Sequence, residues 1–351
     1  MLYTWFENIG IKDTLRLPIE MLIIAVLVFG LTVLITKIVL PVLRAKKLGQ
    51  NVSAYVPEHA SKQGTPTMGG ICFIMATLFV MLVWFVLERF GILGTSTDNT
   101  RLVPIALTLC LGVANAMIGF IDDYAKLVKK QNEGLTEWQK LSLQFVVAAL
   151  YILAMALTKN LSSAFIIPFT DIPVDLKFFA YPIYVIVIAG FVNSTNITDG
   201  IDGLASSVTL SVAMGMVLLS SLLLWRNTGV IGATLIGSAL GFLVFNHFPA
   251  KVFMGDTGSL YIGGIIMGCA VAEGELVVFL IMGMVFILEM LSSLIQKVYY
   301  KLTGGKRFFK MAPVHHHFQK LDKAWSEVKI VSVFFIVSLI FVAVGVLACI
   351  L

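Results

Sequence analysis

The chain has 351 residues, of which 58% are hydrophobic and 13% charged, with a mean hydropathy of +0.95 and a formal net charge of +5. Soluble domains carry about 25% charged residues, so this composition excludes an ordinary soluble enzyme and points to an integral membrane protein. The four cysteines (Cys72, Cys110, Cys269, Cys349) lie in apolar stretches without CxxC spacing and read as reduced and structural.

A membrane-crossing helix needs roughly 20 apolar residues. Ten candidate stretches follow one another, near 18–42, 67–87, 102–121, 138–158, 178–194, 204–224, 230–246, 259–273, 276–300 and 329–350. The first is too long for the core of a cleavable signal peptide. The fifth and eighth are short, and are expected to be tilted, partly re-entrant or buried among neighbours. The expected fold is therefore all-α: one polytopic membrane domain over residues 1–351, a bundle of about ten transmembrane helices. No solenoid period or internal repeat is visible, which weakens an inverted-repeat transporter reading.

The loops between these stretches hold unusual polar clusters. Lys62-Gln-Gly-Thr-Pro-Thr67-Met-Gly-Gly70 enters the second span, and Lys62 and Thr67 are candidate phosphate contacts. Asp122 and Asp123 close the third span. Adjacent carboxylates repel unless a cation or a proton joins them, and either suits catalysis. Lys126, Lys129 and Lys130 follow within two turns, as phosphate ligands or ordinary anchors. Asn193, Asn196, Asp199 and Asp202 recur at every third residue, a spacing that lines them up in a 3₁₀ turn but spreads them around an α-helix. Two carboxylates and two amides without a lysine or arginine suit a metal or a hydroxyl-rich ligand. Asp256 sits between Gly255 and Gly258 at the start of the eighth span, where backbone N–H groups favour anions and a carboxylate can hold Mg2+ against a phosphate. Asn246 and Lys251 stand just upstream. His315, His316 and His317 follow Pro313 in the longest loop beside Lys306, Arg307 and Lys310. No cysteine lies near them and helical i, i+4 ligand spacing is absent, so phosphate or sugar recognition fits better than zinc. Glu289, deep in the ninth span, reads as a buried structural hydrogen bond rather than a catalytic group.

The loops after spans one, three, five, seven and nine carry seventeen lysines and arginines when Lys140, Lys297 and Lys329 in the flanking span ends are counted with them, against seven for the N-terminal tail and the other loops. The positive-inside rule places the first set in the cytoplasm and both termini outside. The loops near 43–66, 122–137, 193–203, 247–258 and 301–328 thus fall on one side, and they contain every polar cluster named above.

Taken together, these motifs resemble the MraY family, the phospho-N-acetylmuramoyl-pentapeptide transferases, within the polyprenyl-phosphate N-acetylhexosamine-1-phosphate transferase superfamily. The likeness covers nearly the whole chain. The aspartate pair and the Asn/Asp run are shared across the superfamily. The Gly-Thr-Pro-Thr-Met-Gly-Gly and Pro-Val-His-His-His-Phe strings look specific to this branch. Gln319 departs from the family pattern, which often has Glu there, and this puts any acidic role at that position in doubt. The resemblance implies UDP-N-acetylmuramoyl-pentapeptide and undecaprenyl phosphate as substrates, lipid I and UMP as products, Mg2+ as cofactor, a homodimer in the bacterial inner membrane, and no nucleic-acid partner. On this reading Asp122, Asp123, Asp256 and His316 are catalytic and Asp256 holds the metal. Lys62, Thr67, Lys126, Lys130, Asn193, Asn196, Asp199, Asp202, Asn246, His315 and His317 bind substrate. A related N-acetylglucosamine-1-phosphate transferase and a membrane transporter are the alternatives.

Overall fold

The computed structural model describes residues 13–45, 64–93, 99–129, 134–170 and 172–351, without the side chains of 13–16, 99–101 and 129. Lys62 and Lys130 lie outside the described residues, so their expected phosphate contacts are not seen.

Apolar length sets the architecture. Helices α1 (Asp13–Ala45), α2 (Gly70–Arg89), α3 (Asn99–Lys129), α4 (Glu137–Leu157), α5 (Ala180–Thr198), α6 (Leu204–Leu223) and α7 (Arg226–Asn246) run in succession. They are followed by α8 (Gly255–Glu273), the pair α9 (Leu276–Met282) and α10 (Met284–Leu302), the short α11 (Val314–Gln319), and α12 (Glu327–Ile350). Among the described residues, eight helices are long and apolar enough to cross a membrane, or nine if the α9–α10 pair counts as one span. Their apolar outer faces suit lipid rather than water.

The remaining expected span is α8, and it occupies the middle of the bundle. Every residue from Thr257 to Val271 is buried, with α3, α5 and α2 packed around it. Small residues permit this closeness: a Cβ on Gly264 would stand 3.0 Å from the Gly112 Cα of α3. Without a hydrophobic drive between helices in lipid, such close backbone approach is what holds them together.

Three expectations need correction. The ninth span is not continuous, because α9 and α10 meet at 77°. The break falls at Gly283, whose missing Cβ would stand 2.5 Å from the Phe191 ring and whose position marks a kink by a known route. The chain is not purely helical either. Strands β1 (Ala164–Ile167) and β2 (Ile172–Asp175) form an antiparallel hairpin between α4 and α5, in the register Ala164↔Asp175. Finally, Asp122 and Asp123 do not end their helix. The apolar pattern stops there, but α3 continues to Lys129, since the backbone hydrogen-bond ladder does not depend on side-chain polarity.

Candidate active site

The site forms where the C-terminal part of α3, the first turns of α4 and α8, and the end of α5 meet. Thr136 begins α4 with a capping box: its hydroxyl accepts from the Gln139 N–H at 3.2 Å, and Gln139 Oε1 accepts from the Thr136 N–H at 3.0 Å. That start places Lys140 on the site-facing side of the first turn. Opposite it, Gly255 takes φ +75°, a backbone setting that glycine adopts without strain, and α8 begins there.

Asp123 ties α3 to α8. Its carboxylate accepts from the Asp256 N–H at 3.2 Å, the Thr257 N–H at 3.0 Å and the Thr257 hydroxyl at 2.8 Å. It thereby satisfies first-turn donors that a helix cannot satisfy itself, and places negative charge at a positive helix end. Two glycines make room. A Cβ on Gly119 would stand 2.3 Å from the Asp256 carbonyl oxygen, and one on Gly255 would stand 2.6 Å from Asp123 Oδ2.

Asp256 is the hub. Its Oδ2 accepts from Lys140 Nζ at 2.6 Å and Lys126 Nζ at 3.1 Å, while Oδ1 accepts from Asn196 Nδ2 at 2.8 Å. Burial opposes its charge, but the Lys140 ammonium, a hydrogen bond from Asp122 and the Lys126 ammonium outweigh it. They hold the carboxyl well below the usual range. Lys126 also pairs with Asp122 Oδ2 at 2.5 Å, and Asp122 Oδ1 accepts from the Leu135 N–H at 2.7 Å. Lys140 reaches Asn196 Oδ1 at 2.7 Å, and Asn196 Nδ2 also reaches the Ser259 hydroxyl at 3.0 Å.

One oxygen from each of Asp122, Asp123 and Asp256 lies within 4.8 Å of the others. Three carboxylate oxygens at that spacing suit a hard, oxygen-seeking cation such as Mg2+. With all three aspartates ionised, the two lysines leave one surplus negative charge, which a divalent ion would reverse. Asp199, at the C-terminal end of α5, accepts from the Gly255 N–H. Burial first, and then the charges of Asp256, Asp123 and Asp202, push its carboxyl well above the usual range.

The other expected residues divide. Thr67 is buried next to Gly255, on a segment tied to the start of α8 by Gly69 N–H to Phe253 O and Gly70 N–H to Met254 O, both 2.9 Å. Asn193 lies one turn before Asn196 on α5, half-buried. The α-helix continues through Thr198, so the 3₁₀ alignment of the four Asn/Asp residues is not realised. Asp202 and Asn246 are buried and bonded to backbone. Asp202 Oδ2 accepts from the Ala250 N–H at 2.9 Å; Asn246 accepts from the Gly203 N–H at 3.1 Å and donates to the Val252 carbonyl at 3.0 Å. The three histidines do not share a ligand. His315 Nδ1 faces Glu289 Oε2 at 2.8 Å, His316 Nδ1 faces Gln319 Oε1 at 2.7 Å, and His317 Nδ1 accepts from the Lys310 N–H at 3.0 Å. Glu289 is thus the buried hydrogen-bonding group that its sequence position implied.

Sequence reasoning missed Lys140, which counted only as one more basic residue after the third span. The Thr136-Glu-Trp-Gln139 capping signature could have fixed the helix start and exposed its position. Thr257 and Ser259 were missed as well, for lack of any charge to mark them.

A bundle of long apolar helices with an acid–lysine centre at one end defines a polytopic membrane transferase, and the comparisons agree. The profile described as glycosyl transferase family 4 matches residues 105–274, and phospho-N-acetylmuramoyl-pentapeptide-transferase signature 1 matches residues 62–74. A phospho-N-acetylmuramoyl-pentapeptide-transferase of Clostridium perfringens (strain 13) is 40% identical over 305 residues, 87% of this chain and 90% of that protein. Proteins of the same name from Halalkalibacterium halodurans (38% over 327 residues, 92% and 95%) and Staphylococcus carnosus (37% over 331 residues, 92% and 97%) are similar to it along nearly their whole length. The chain belongs to the phospho-N-acetylmuramoyl-pentapeptide-transferase family.

Proposed function

We propose that the protein transfers phospho-N-acetylmuramoyl-pentapeptide from UDP-N-acetylmuramoyl-pentapeptide to undecaprenyl phosphate, giving lipid I and UMP. One observation carries the reading beyond the family name: the Asp122–Asp123 pair and the sequence-distant Asp256 meet with Lys126 and Lys140 at one end of an apolar bundle. Two anionic substrates, one from the lipid and one from water, need such a centre. The excess of lysine and arginine in the loops at that end supports a cytoplasmic orientation with both termini outside, and the family resemblance supports a bacterial inner membrane and a homodimer as the working assembly.

Asp256, with Asp122 and Asp123 beside it, would hold Mg2+. When bound, the ion supplies charge neutralisation and Lewis-acid polarisation of the phosphate oxygens. The chain's own residues do the rest. Lys126 and Lys140 add two positive charges on the diphosphate side. Asn196 keeps Asp256 and Lys140 in register. Asp123 is bonded three times to the start of α8, which leaves Asp122 as the member of the pair to orient the attacking lipid phosphate. A phosphate monoester loses its second proton near pH 6, so positioning and electrostatics supply more of the catalysis than proton abstraction, as in other phosphoryl transfers. The lipid phosphate oxygen bonds to the sugar-bearing phosphorus as the bond to UMP breaks. Thr67, Asn193, Lys62 and Lys130 would contact the nucleotide and its phosphates, and the histidine segment the sugar side.

The test is UMP release by the purified protein. It should require both the muramoyl nucleotide and undecaprenyl phosphate, stop in EDTA and resume with added Mg2+. Release supported equally by UDP-N-acetylglucosamine would favour the related transferase instead. Full activity in EDTA would remove the metal from the mechanism.

A further inference from the structure

The bent helix α10 carries a polar stripe that the transfer reaction does not explain. Glu289, Ser292 and Gln296 stand at i, i+3 and i+7, on one helical face. Each binds the segment that holds the histidines. Gln296 Oε1 accepts from the Phe309 N–H at 2.8 Å, the Ser292 hydroxyl accepts from the Val314 N–H at 2.9 Å, and Glu289 Oε2 meets His315 Nδ1 at 2.8 Å. Glu289 and His315 are both fully buried. With Glu289 ionised its carboxylate only accepts, so the Nδ1 proton of His315 is then the donor. The other ring nitrogen, Nε2, has no partner among the described residues and lies against Gly200, where a Cβ would stand 2.3 Å away. Gly200 sits in the turn between Asp199 and Asp202, and Asp199 holds the Gly255 N–H at the start of α8. The His315 ring also lies 4.2 Å from that of His316.

We propose that Glu289 is a positioning residue for the transfer reaction: it fixes the tautomer and seat of His315, which wedges between α10 and the 199–203 turn and so sets both that turn and His316 against the active site. The proposal rests on the function assigned above. A second hydrogen bond to a buried imidazole is an established way to fix which nitrogen is bare and how the ring is oriented. Glutamine at 289 retains the shape but offers the ring either a donor or an acceptor. The proton can then move to Nε2 and press on Gly200.

The protein has five histidines, so nitrogen-15 histidine spectra of the labelled full-length protein in detergent are tractable, with His315 assigned by His315→Asn. The wild type should show an Nδ1-protonated, Nε2-bare ring. An Nε2-protonated or tautomer-averaged ring overturns the proposal, and this measurement needs no variant at residue 289. Glu289→Gln should lose that signature and lower UMP release per folded molecule by about tenfold or more. Gly200→Ala, which displaces the same ring from its other side, should lower it similarly, and the double variant should be no worse than the poorer single one. Wild-type turnover in either single variant, or additive losses, overturns the proposal. If the wild type itself fails to release UMP, the assigned function fails, while the spectrum still tests the Glu289–His315 arrangement.

Discussion

The contact between α3 and α8 makes a sharp prediction at a residue with no functional group. A methyl group added at Gly119 would lie 2.3 Å from the Asp256 carbonyl oxygen, 2.4 Å from its carbon and 2.5 Å from the Thr257 nitrogen. All three are backbone atoms, so no side chain can swing aside. To restore ordinary contact the first turn of α8 must retreat by about 1 Å. The three hydrogen bonds from that turn to Asp123 now measure 3.2, 3.0 and 2.8 Å, and a retreat of that size breaks or badly strains them. Overpacking costs about 1–3 kcal/mol, and each buried N–H left unpaired adds about 1–3 kcal/mol. Asp256 also moves away from Asp122, and a 1 Å misplacement of reacting groups costs on the order of 100-fold in rate. Gly119→Ala should therefore lower kcat for UMP release by about two orders of magnitude and lower the melting temperature in detergent. Gly190→Ala in α5 is the control, because its Cβ meets nothing within 4 Å, and it should stay within about twofold of wild type. Gly119→Ala with wild-type kcat and melting temperature would refute the close α3–α8 contact as the device that sets the site.

Four further outcomes are expected. Lys140→Met, which keeps length but removes the charge on Asp256, should lower kcat/KM by about 100-fold; unchanged kinetics would take Lys140 out of the site. Asp256→Asn should cut turnover by orders of magnitude in a protein that still melts cooperatively, and near-normal turnover would exclude it from the reaction. Asp199 has a raised pKa in the folded protein, so the stability it lends is present in acid and lost as pH climbs through that pKa. Melting temperature against pH, measured in EDTA, should fall less steeply for Asp199→Asn than for wild type as pH rises from the ordinary carboxylate range toward that raised pKa; parallel curves would contradict the burial and crowding that raise it. Arg226→Lys should lower the melting temperature while leaving the KM of both substrates within about twofold, and a kinetic defect without destabilisation would mean that this cluster takes part in catalysis.

What could be read from the chain follows the physics of each signal. Hydropathy located every long helix, because the bilayer demands apolar length. The side-by-side distribution of charge placed Asp122, Asp123 and Asp256 in loops of one face, and they do meet. Hydropathy is blind beyond the apolar edge, however, and so it ended α3 at Asp122. The Asp122–Lys126 pair at i, i+4 was the available evidence that the helix continued. The hairpin at 164–175 was invisible for a related reason: its strands have four residues each, and β2 is exposed throughout, so no alternation of burial marks it. Asp202 and Asn246 are expected substrate ligands from their polarity, and in the fold both also complete hydrogen bonds with backbone. A sequence shows that a polar group needs a partner but not whether the partner is protein or substrate.

The two ends of the bundle show why residue type, rather than charge alone, separates a clamp from a site. At the end away from Asp256, Arg226 bridges Glu20 and Glu88 with contacts of 2.6 to 3.2 Å from three guanidinium nitrogens, and Trp84 donates to the same Glu20 at 2.6 Å. The planar fork is matched to two carboxylates at once, and every bond formed makes the next harder to exchange. At the other end the cations are lysines. Each is a point charge on a flexible stem, and Asp256 Oδ2 is shared by two of them. An arriving phosphate can draw Lys126 or Lys140 away from a carboxylate without breaking a matched fork, and the carboxylate so released can turn to a metal ion. Both ends pair acids with cations, but of the two the lysine end is the one whose partners exchange more readily, as the proposed transfer requires. That is the physical reason to place phosphate chemistry there and a structural lock at the other.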